Sequence, residues 1–142
     1  MERYLGVDFG DARTGLAVSD ALGMLANGIG NIESASINKT AEAVAEKAKE
    51  LSVAAIVVGY PLNMNGTAGP RTEKAERFAE KLRSLCDIPV VFQDERLSTV
   101  AAHKFLSESD VSHKKRKKVV DTLSAEIILQ TYIDRLKRNK NG

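Results

Sequence analysis

Six consecutive apolar residues, Val53-Ala54-Ala55-Ile56-Val57-Val58, closed by Gly59, constrain this chain more than any other stretch. A run this short, without polar alternation, reads as a β-strand covered on both faces. Such a strand sits inside a sheet with helices on either side. The segment before it supplies one of them: Ala41, Val44, Ala45, Ala48 and Leu51 recur at spacings of three and four from Thr40 to Leu51, with Glu42, Glu46, Lys47, Lys49 and Glu50 outward. A second buried strand is expected over Ile88-Pro89-Val90-Val91-Phe92-Gln93. Between the two lies a helix from about Arg71 to Cys86, with Pro70 suited to its first turn. Right-handed crossovers make these strands parallel.

The N-terminal part has a different rhythm. Tyr4 to Ser19 reads as two short strands joined by a glycine-flanked turn, and Ala26 to Ile32 as a third, weakened by Gly28 and Gly30. The fold class is therefore α/β, with a mixed five-stranded sheet: an antiparallel meander, then parallel strands, flanked by helices. Further on, Ser98 can cap a short helix through Leu106, and the polar, basic segment from Ser107 to Lys118 reads as an exposed loop. A final helix is expected from about Lys118 to Leu136, with Val120, Leu123, Ile127, Ile128 and Leu136 as its apolar stripe.

With 142 residues, 43% hydrophobic and 28% charged, the chain suits one globular domain over 1–142, and no apolar run approaches a membrane span. Met1-Glu2-Arg3 leads straight into a strand, so no signal peptide is expected. The single cysteine, Cys86, falls in an amphipathic helical pattern and has no internal disulfide partner, which points to a reducing cytoplasm. Net charge is only +2, but the basic excess collects in Lys114-Lys115-Arg116-Lys117-Lys118 and from Arg135 to Lys140, which suggests a phosphate-bearing partner.

Chemistry is carried by acids. Asp8 lies among Leu5, Val7 and Phe9, where a charge is costly unless something pairs with it. If the strands ending at Asp8, Gly59 and Asp94-Glu95 are parallel, their C-terminal ends share the edge where open α/β sheets bind ligands. A last helix packed on the sheet can bring Asp121 there too. Carboxylates that converge repel, and divalent cations relieve the repulsion; an all-oxygen set suits Mg²⁺ or Mn²⁺. His103 and His113 are isolated, and no Cys/His cluster offers zinc. Carboxylate-held metal beside a basic surface is the requirement of metal-assisted phosphodiester hydrolysis. The segment Gly59-Tyr60-Pro61-Leu62-Asn63-Met64-Asn65-Gly66-Thr67-Ala68-Gly69-Pro70 could present backbone N–H groups to a phosphate, with Arg71 adding charge, although it lacks a Walker pattern.

Four stretches together resemble one family. Val7-Asp8-Phe9-Gly10 with Arg13-Thr14-Gly15-Leu16-Ala17, Gly59 to Gly66, Asp94-Glu95-Arg96-Leu97-Ser98-Thr99, and Asp121 followed by Ser124-Ala125 and Ile128-Leu129-Gln130 are similar, in order and nearly end to end, to the YqgF (RuvX) family of bacterial Holliday junction resolvases. The resemblance implies a ribonuclease H-like fold and a nuclease acting on structured RNA or branched DNA, including maturation of the 5′ end of 16S ribosomal RNA. It puts Asp8, Glu95 and Asp121 at the catalytic, metal-holding positions, and leaves open whether Asp94 or Glu95 faces the metal. Arg13, Asn63, Asn65, Arg71, Arg96, Lys114, Lys115, Arg116, Lys117 and Lys118 are the candidate nucleic-acid contacts. A four-way junction would favour a two-fold homodimer, because two symmetric cuts ask for two equivalent sites.

Two other readings compete. An RNA-binding ribosome-assembly factor could keep the fold without catalysis, although keeping three acids together is then a cost without a return. Asp8-Phe9-Gly10 also resembles the first phosphate loop of actin-like ATP-binding enzymes, but the second Asp-x-Gly element and the longer two-lobed chain are missing.

Overall fold

The computed structural model describes residues 2–97 and 114–141, with side chains over 2–96 and 122–139. Strands β1 (Tyr4–Asp8), β2 (Arg13–Ser19) and β3 (Ala26–Glu33) are followed by helix α1 (Ile37–Glu50), strand β4 (Ala55–Tyr60), helix α2 (Pro70–Leu85) and strand β5 (Val90–Asp94). A single 3-10 turn, Glu95–Leu97, comes next, and helix α3 (Lys114–Asn141) completes the order. The sheet order is β3-β2-β1-β4-β5. β1–β2 and β2–β3 pair antiparallel, and β1–β4 and β4–β5 pair parallel. The expected mixed sheet is present, with β1 and β4 inside it.

The boundaries shift for local reasons. α1 starts three residues before Thr40, because the Ser36 hydroxyl accepts a hydrogen bond from the Lys39 N–H and caps the helix there. β4 runs past Val58, and Gly59 is not its terminator: it pairs with Gln93 inside the ladder. β5 begins after Pro89, whose carbonyl accepts from the Ile56 N–H. The largest difference is at α3, which begins at Lys114, so the basic run forms its first turns rather than a loop. Lys and Arg are good helix formers, so a run of them is compatible with a helix that packing further along holds in place. The short helix expected from Ser98 to Leu106, the loop from Ser107 to His113, and both histidines lie outside the described residues.

Two cores flank the sheet. On one face Leu5, Val7, Leu16, Ile56 and Val58 pack against Val44, Ala48, Phe78 and Leu82 of α1 and α2, and Phe9 stacks on Phe78 with ring centroids 4.6 Å apart. Cys86, at the end of α2, is half-buried against this core as a free thiol. On the other face Ala17 and Val57 meet Ala125, Ile128, Leu129 and Ile133 of α3. Of the expected stripe Ile128 faces the sheet, whereas Leu123, Ile127 and Leu136 are only half-buried, and the side chain of Val120 is outside the described ones. Ala125, Leu129 and Ile133 join Ile128 on the inward line, where the backbones meet closely: a Cβ on Gly6 would stand 2.7 Å from the Leu129 Cβ and 3.0 Å from the Ala125 carbonyl oxygen. At Gly28 the Thr122 methyl fills the place of a side chain.

The same helix closes the β3 edge. Glu126 Oε1 accepts the Gly28 N–H at 2.7 Å and Gln130 Oε1 accepts the Ala26 N–H at 2.9 Å. Two donors of an edge strand are thereby satisfied and shielded from pairing with another chain. Among the described residues no helix is long and apolar enough to cross a membrane.

The Gly6 contact gives a direct test. Gly6→Ala should lower stability by about 1–3 kcal/mol, the range for overpacking a core, because Cβ and backbone atoms cannot rotate away. Urea unfolding would measure it, and an unchanged midpoint would show that α3 is not held as closely as described.

Candidate active site

Alternation along β1 turns Leu5 and Val7 toward α1 and α2, and Gly6 and Asp8 toward α3. Asp8 is the last residue of the strand and only 5% exposed. Across the antiparallel pair it faces Gly15, which puts no side chain beside the carboxylate. Across the parallel pair Val7 is level with Val58, so Asp8 comes level with Gly59.

Gly59 is where the second acid arrives. The ideal Cβ position at Gly59 lies 3.0 Å from Glu95 Oε2 and 2.6 Å from Ile128 Cδ1. Glu95, 6% exposed, therefore reaches back from the end of β5 over β4, on the face that α3 covers. Asp8, on the neighbouring strand and level with Gly59, is on the same face of the sheet as the Glu95 carboxylate. The glycine is a cradle: any side chain there would take the space of the carboxylate. In the sequence Gly59 reads as the end of a strand and the start of the loop that runs to Pro70. A glycine beside a run of β-branched residues was the signal of a close approach.

Asp94 and Glu95 part company. Phe92 packs with the α1/α2 core, and Asp94 follows it on that side. Its carboxylate is gripped by Arg96: Nε lies 3.2 Å from each oxygen, Nη2 is 2.8 Å from Oδ2, and the Arg96 backbone N–H is 2.9 Å from Oδ1. Burial pushes the Asp94 carboxyl up, but the Arg96 hydrogen bonds and the nearby Arg96 and Arg135 charges outweigh it and hold the group below the ordinary aspartate range.

α3 runs antiparallel to β1, since Ala125 and Leu129 meet Gly6 while Tyr132, further along, stacks edge-on against Tyr4 at 5.7 Å. One turn before Ala125 is Asp121, about 6 Å along the axis, much as Asp8 lies two residues beyond Gly6. The backbone of Asp121 thus comes level with Asp8; its side chain is outside the described ones. Among the described side chains no group of three His, Cys, Asp or Glu could hold a metal ion. Two nearly buried carboxylates, a glycine cradle and the backbone position of a third acid nevertheless form an all-oxygen donor set of the kind Mg²⁺ or Mn²⁺ accepts.

The remaining candidates spread around this edge. Arg13 lies at the start of β2, on the α3 side, with Nε 3.6 Å from Glu33 Oε1 and Nη1 buried with no hydrogen-bond partner among the described residues. Asn63 and Asn65 are used within their own loop: Asn63 Nδ2 donates to Thr67 Oγ1 at 3.0 Å, and Asn65 Oδ1 accepts from the Thr67 N–H at 3.1 Å. Arg71 is exposed in the first turn of α2. Lys114, Lys115, Arg116, Lys117 and Lys118 occupy the first turns of α3, and Lys114 lies seven residues, about 10 Å, before Asp121 along the axis.

The chain is similar to known proteins over nearly its whole length. A protein 47% identical over 141 residues, covering 99% of each chain, is named "Putative pre-16S rRNA nuclease" in Ruminiclostridium cellulolyticum. Another of the same name, from Caldanaerobacter subterraneus subsp. tengcongensis, is 49% identical over 138 residues, 96% of this chain and 99% of its own. Among solved structures, T. thermophilus RuvC in complex with Holliday junction substrate superposes with a TM-score of 0.59 over 96% of each chain at 13% identity, which establishes a shared fold. The family model described as RuvX, Holliday junction resolvase, matches residues 2–135. With nearly its whole length matched by that model and by close relatives, the chain belongs to the RuvX family.

Proposed function

We propose that this protein is a divalent-metal-dependent nuclease that hydrolyses phosphodiester bonds of structured nucleic acid in the cytoplasm, with precursor 16S ribosomal RNA as its first substrate and branched DNA as its second. The observation that carries this reading is the pair of carboxylates, Asp8 at 5% and Glu95 at 6% exposure, brought to one edge of the sheet on either side of Gly59. Two nearly buried acids on one face of the sheet, at the ends of parallel strands, are the hard oxygen donors that a divalent cation takes. The ribosomal substrate comes first because relatives near 47% identity carry that name, whereas the junction-bound structure shares 13% identity and supports the fold.

In this reading Asp8, Glu95 and Asp121 hold the ion or ions. Bound Mg²⁺ or Mn²⁺ would supply an acidified water and positive charge for the leaving oxygen. The chain's own residues do the rest. Gly15 adds no side chain beside the Asp8 carboxylate, and Gly59 leaves the room that the Glu95 carboxylate takes. Arg13 offers a cation on the same face as Asp8, and Glu33 limits where it can go. The five cations opening α3 stand at a helix N-terminus, with no acid in the first turn. That end already carries the positive end of the helix dipole, so the run is unfavourable until an anion approaches, and a phosphate backbone is such an anion.

Calcium separates a nuclease from an assembly factor. Ca²⁺ occupies carboxylate sites with looser coordination, so substrate should bind without being cut, and product should appear when Mn²⁺ is added. Single-turnover rates should fall about 100-fold or more in Asp8→Asn, Glu95→Gln and Asp121→Asn. Asp8→Asn should stay folded without metal, having lost one repelling charge. If the wild-type protein cuts neither precursor RNA, single strands nor junctions in Mn²⁺, the nuclease reading gives way to a ribosome-assembly role.

Binding is tested by salt. Four neutralised phosphates give log affinity a slope of about −3 to −4 against log salt, and replacing Lys114, Lys115 and Lys117 by Gln should flatten it by about 2–3. A slope equal to wild type would place the basic turns away from the nucleic acid.

A further inference from the structure

We propose that Arg96, with Asp94, is a positioning device for Glu95 and not a contact for the nucleic-acid backbone. The proposal rests on the nuclease reading above. Three observations carry it. First, the Arg96 guanidinium is already committed: Nε and Nη2 face the two oxygens of Asp94 in a forked pair, with Nη2 at 2.8 Å from Oδ2. A phosphate would have to compete with a carboxylate already held in the geometry that suits arginine best. Second, the Asp94 carboxylate also accepts the Arg96 backbone N–H at 2.9 Å, which closes a turn around the peptide of Glu95. The main chain that carries Glu95 is thus pinned on both sides by one carboxylate, while Glu95 itself points the other way, over Gly59.

Third, the remaining arm of Arg96 reaches into the loop between β4 and α2. Nη1 lies 3.5 Å from the Met64 carbonyl oxygen and 3.2 Å from the Cβ position of Gly66. Gly66 has φ +88°, a conformation other residues rarely adopt, and its missing side chain leaves the guanidinium room. The loop is otherwise held by its own bonds, Asn63 N–H to the Thr67 carbonyl and Gly66 N–H to the Asn63 carbonyl. Arg96 is therefore the strut that ties this loop to the turn presenting Glu95. Because the loop leaves β4 directly after Gly59 and Tyr60, the strut links both sides of the Glu95 cradle. A carboxylate that must hold a metal against a scissile phosphate gains from being fixed in advance.

The two roles predict different behaviour in a set of four variants, Asp94→Asn, Arg96→Gln, Arg96→Lys and the double Asp94→Asn/Arg96→Gln. Affinity would be measured in Ca²⁺, single-turnover cleavage in Mn²⁺, and amide hydrogen exchange over 63–67 without nucleic acid or metal. As a positioning pair, each single variant should slow cleavage by about 10–100-fold, the range for partners that orient a metal ligand. The double variant should be no slower than about the worse single one, since both break the same strut. Affinity and its salt slope should stay within about twofold of wild type, and exchange over 63–67 should quicken about tenfold or more in all four. Arg96→Lys should fail like Arg96→Gln, because an ammonium cannot fork onto a carboxylate.

A phosphate contact would give the opposite pattern. Arg96→Gln would weaken binding and reduce the salt slope by about one, Arg96→Lys would restore both, and Asp94→Asn would leave affinity intact or improve it. That pattern overturns the proposal, and so does unchanged exchange over 63–67 in variants that remain folded by circular dichroism. Wild-type protein that never cleaves in Mn²⁺ overturns the nuclease reading instead, a failure recognisable because the exchange measurement needs no substrate.

Discussion

The structure depends on the close seating of α3 against the sheet. At Gly6 the approach is set by backbone and Cβ atoms, with a hypothetical side chain 2.7 Å from Leu129 Cβ. Such atoms have no rotamers with which to yield, so the helix can sit in one place only. From that seat follow the burial of Ala125, Ile128, Leu129 and Ile133, the covering of the β3 edge by Glu126 and Gln130, and the level at which Asp121 meets the end of β1. A larger residue at Gly6 would move all of these together. The candidate site is in this sense a consequence of packing on its own face of the sheet.

Electrostatics at the sheet edge are divided between the two faces. Glu95 and Asp8 are buried on the α3 side. Asp94, one residue from Glu95, is satisfied on the other side by Arg96. Strand alternation makes this division possible: neighbouring acids are kept apart by the sheet itself. The cations follow a similar logic. Lys74 pairs with Asp11 and Arg13 with Glu33, whereas the five that open α3 are gathered at a helix end without an acid in the first turn.

Much of this was legible in the sequence because it rests on short-range rules. The unbroken run around Ile56, the three- and four-residue spacing of Val44 and Ala48, and the meander before them specify strand, helix and strand order through burial and periodicity alone. The acid in β1 was conspicuous for the same reason, as a charge where the pattern demands an apolar residue. What misled was spacing that two arrangements satisfy equally. On α3 both the Leu123–Ile127 line and the Ala125–Leu129 line have helical period, and only the close seating of Ala125 and Leu129 on Gly6 of the facing strand selects the second. The basic run looked like a loop because charge density suggests solvent, yet lysine and arginine are comfortable in a helix that is anchored further along.

By itself the sequence determined the α/β class, the mixed sheet, and the three acids and basic run from which a nuclease can be argued, since these follow from residue types and their local order. Tertiary structure alone decided that Gly59 is the cradle of Glu95, that Asp94 belongs to Arg96, and that Arg96 reaches the loop at Met64 and Gly66. The physical reason is that these relations join β4, β5 and the loop after β4, segments some thirty residues apart in the chain, through contacts a few ångströms long. No periodicity along the chain encodes which atoms meet across a sheet; the register of the strands and the room left by a missing side chain do.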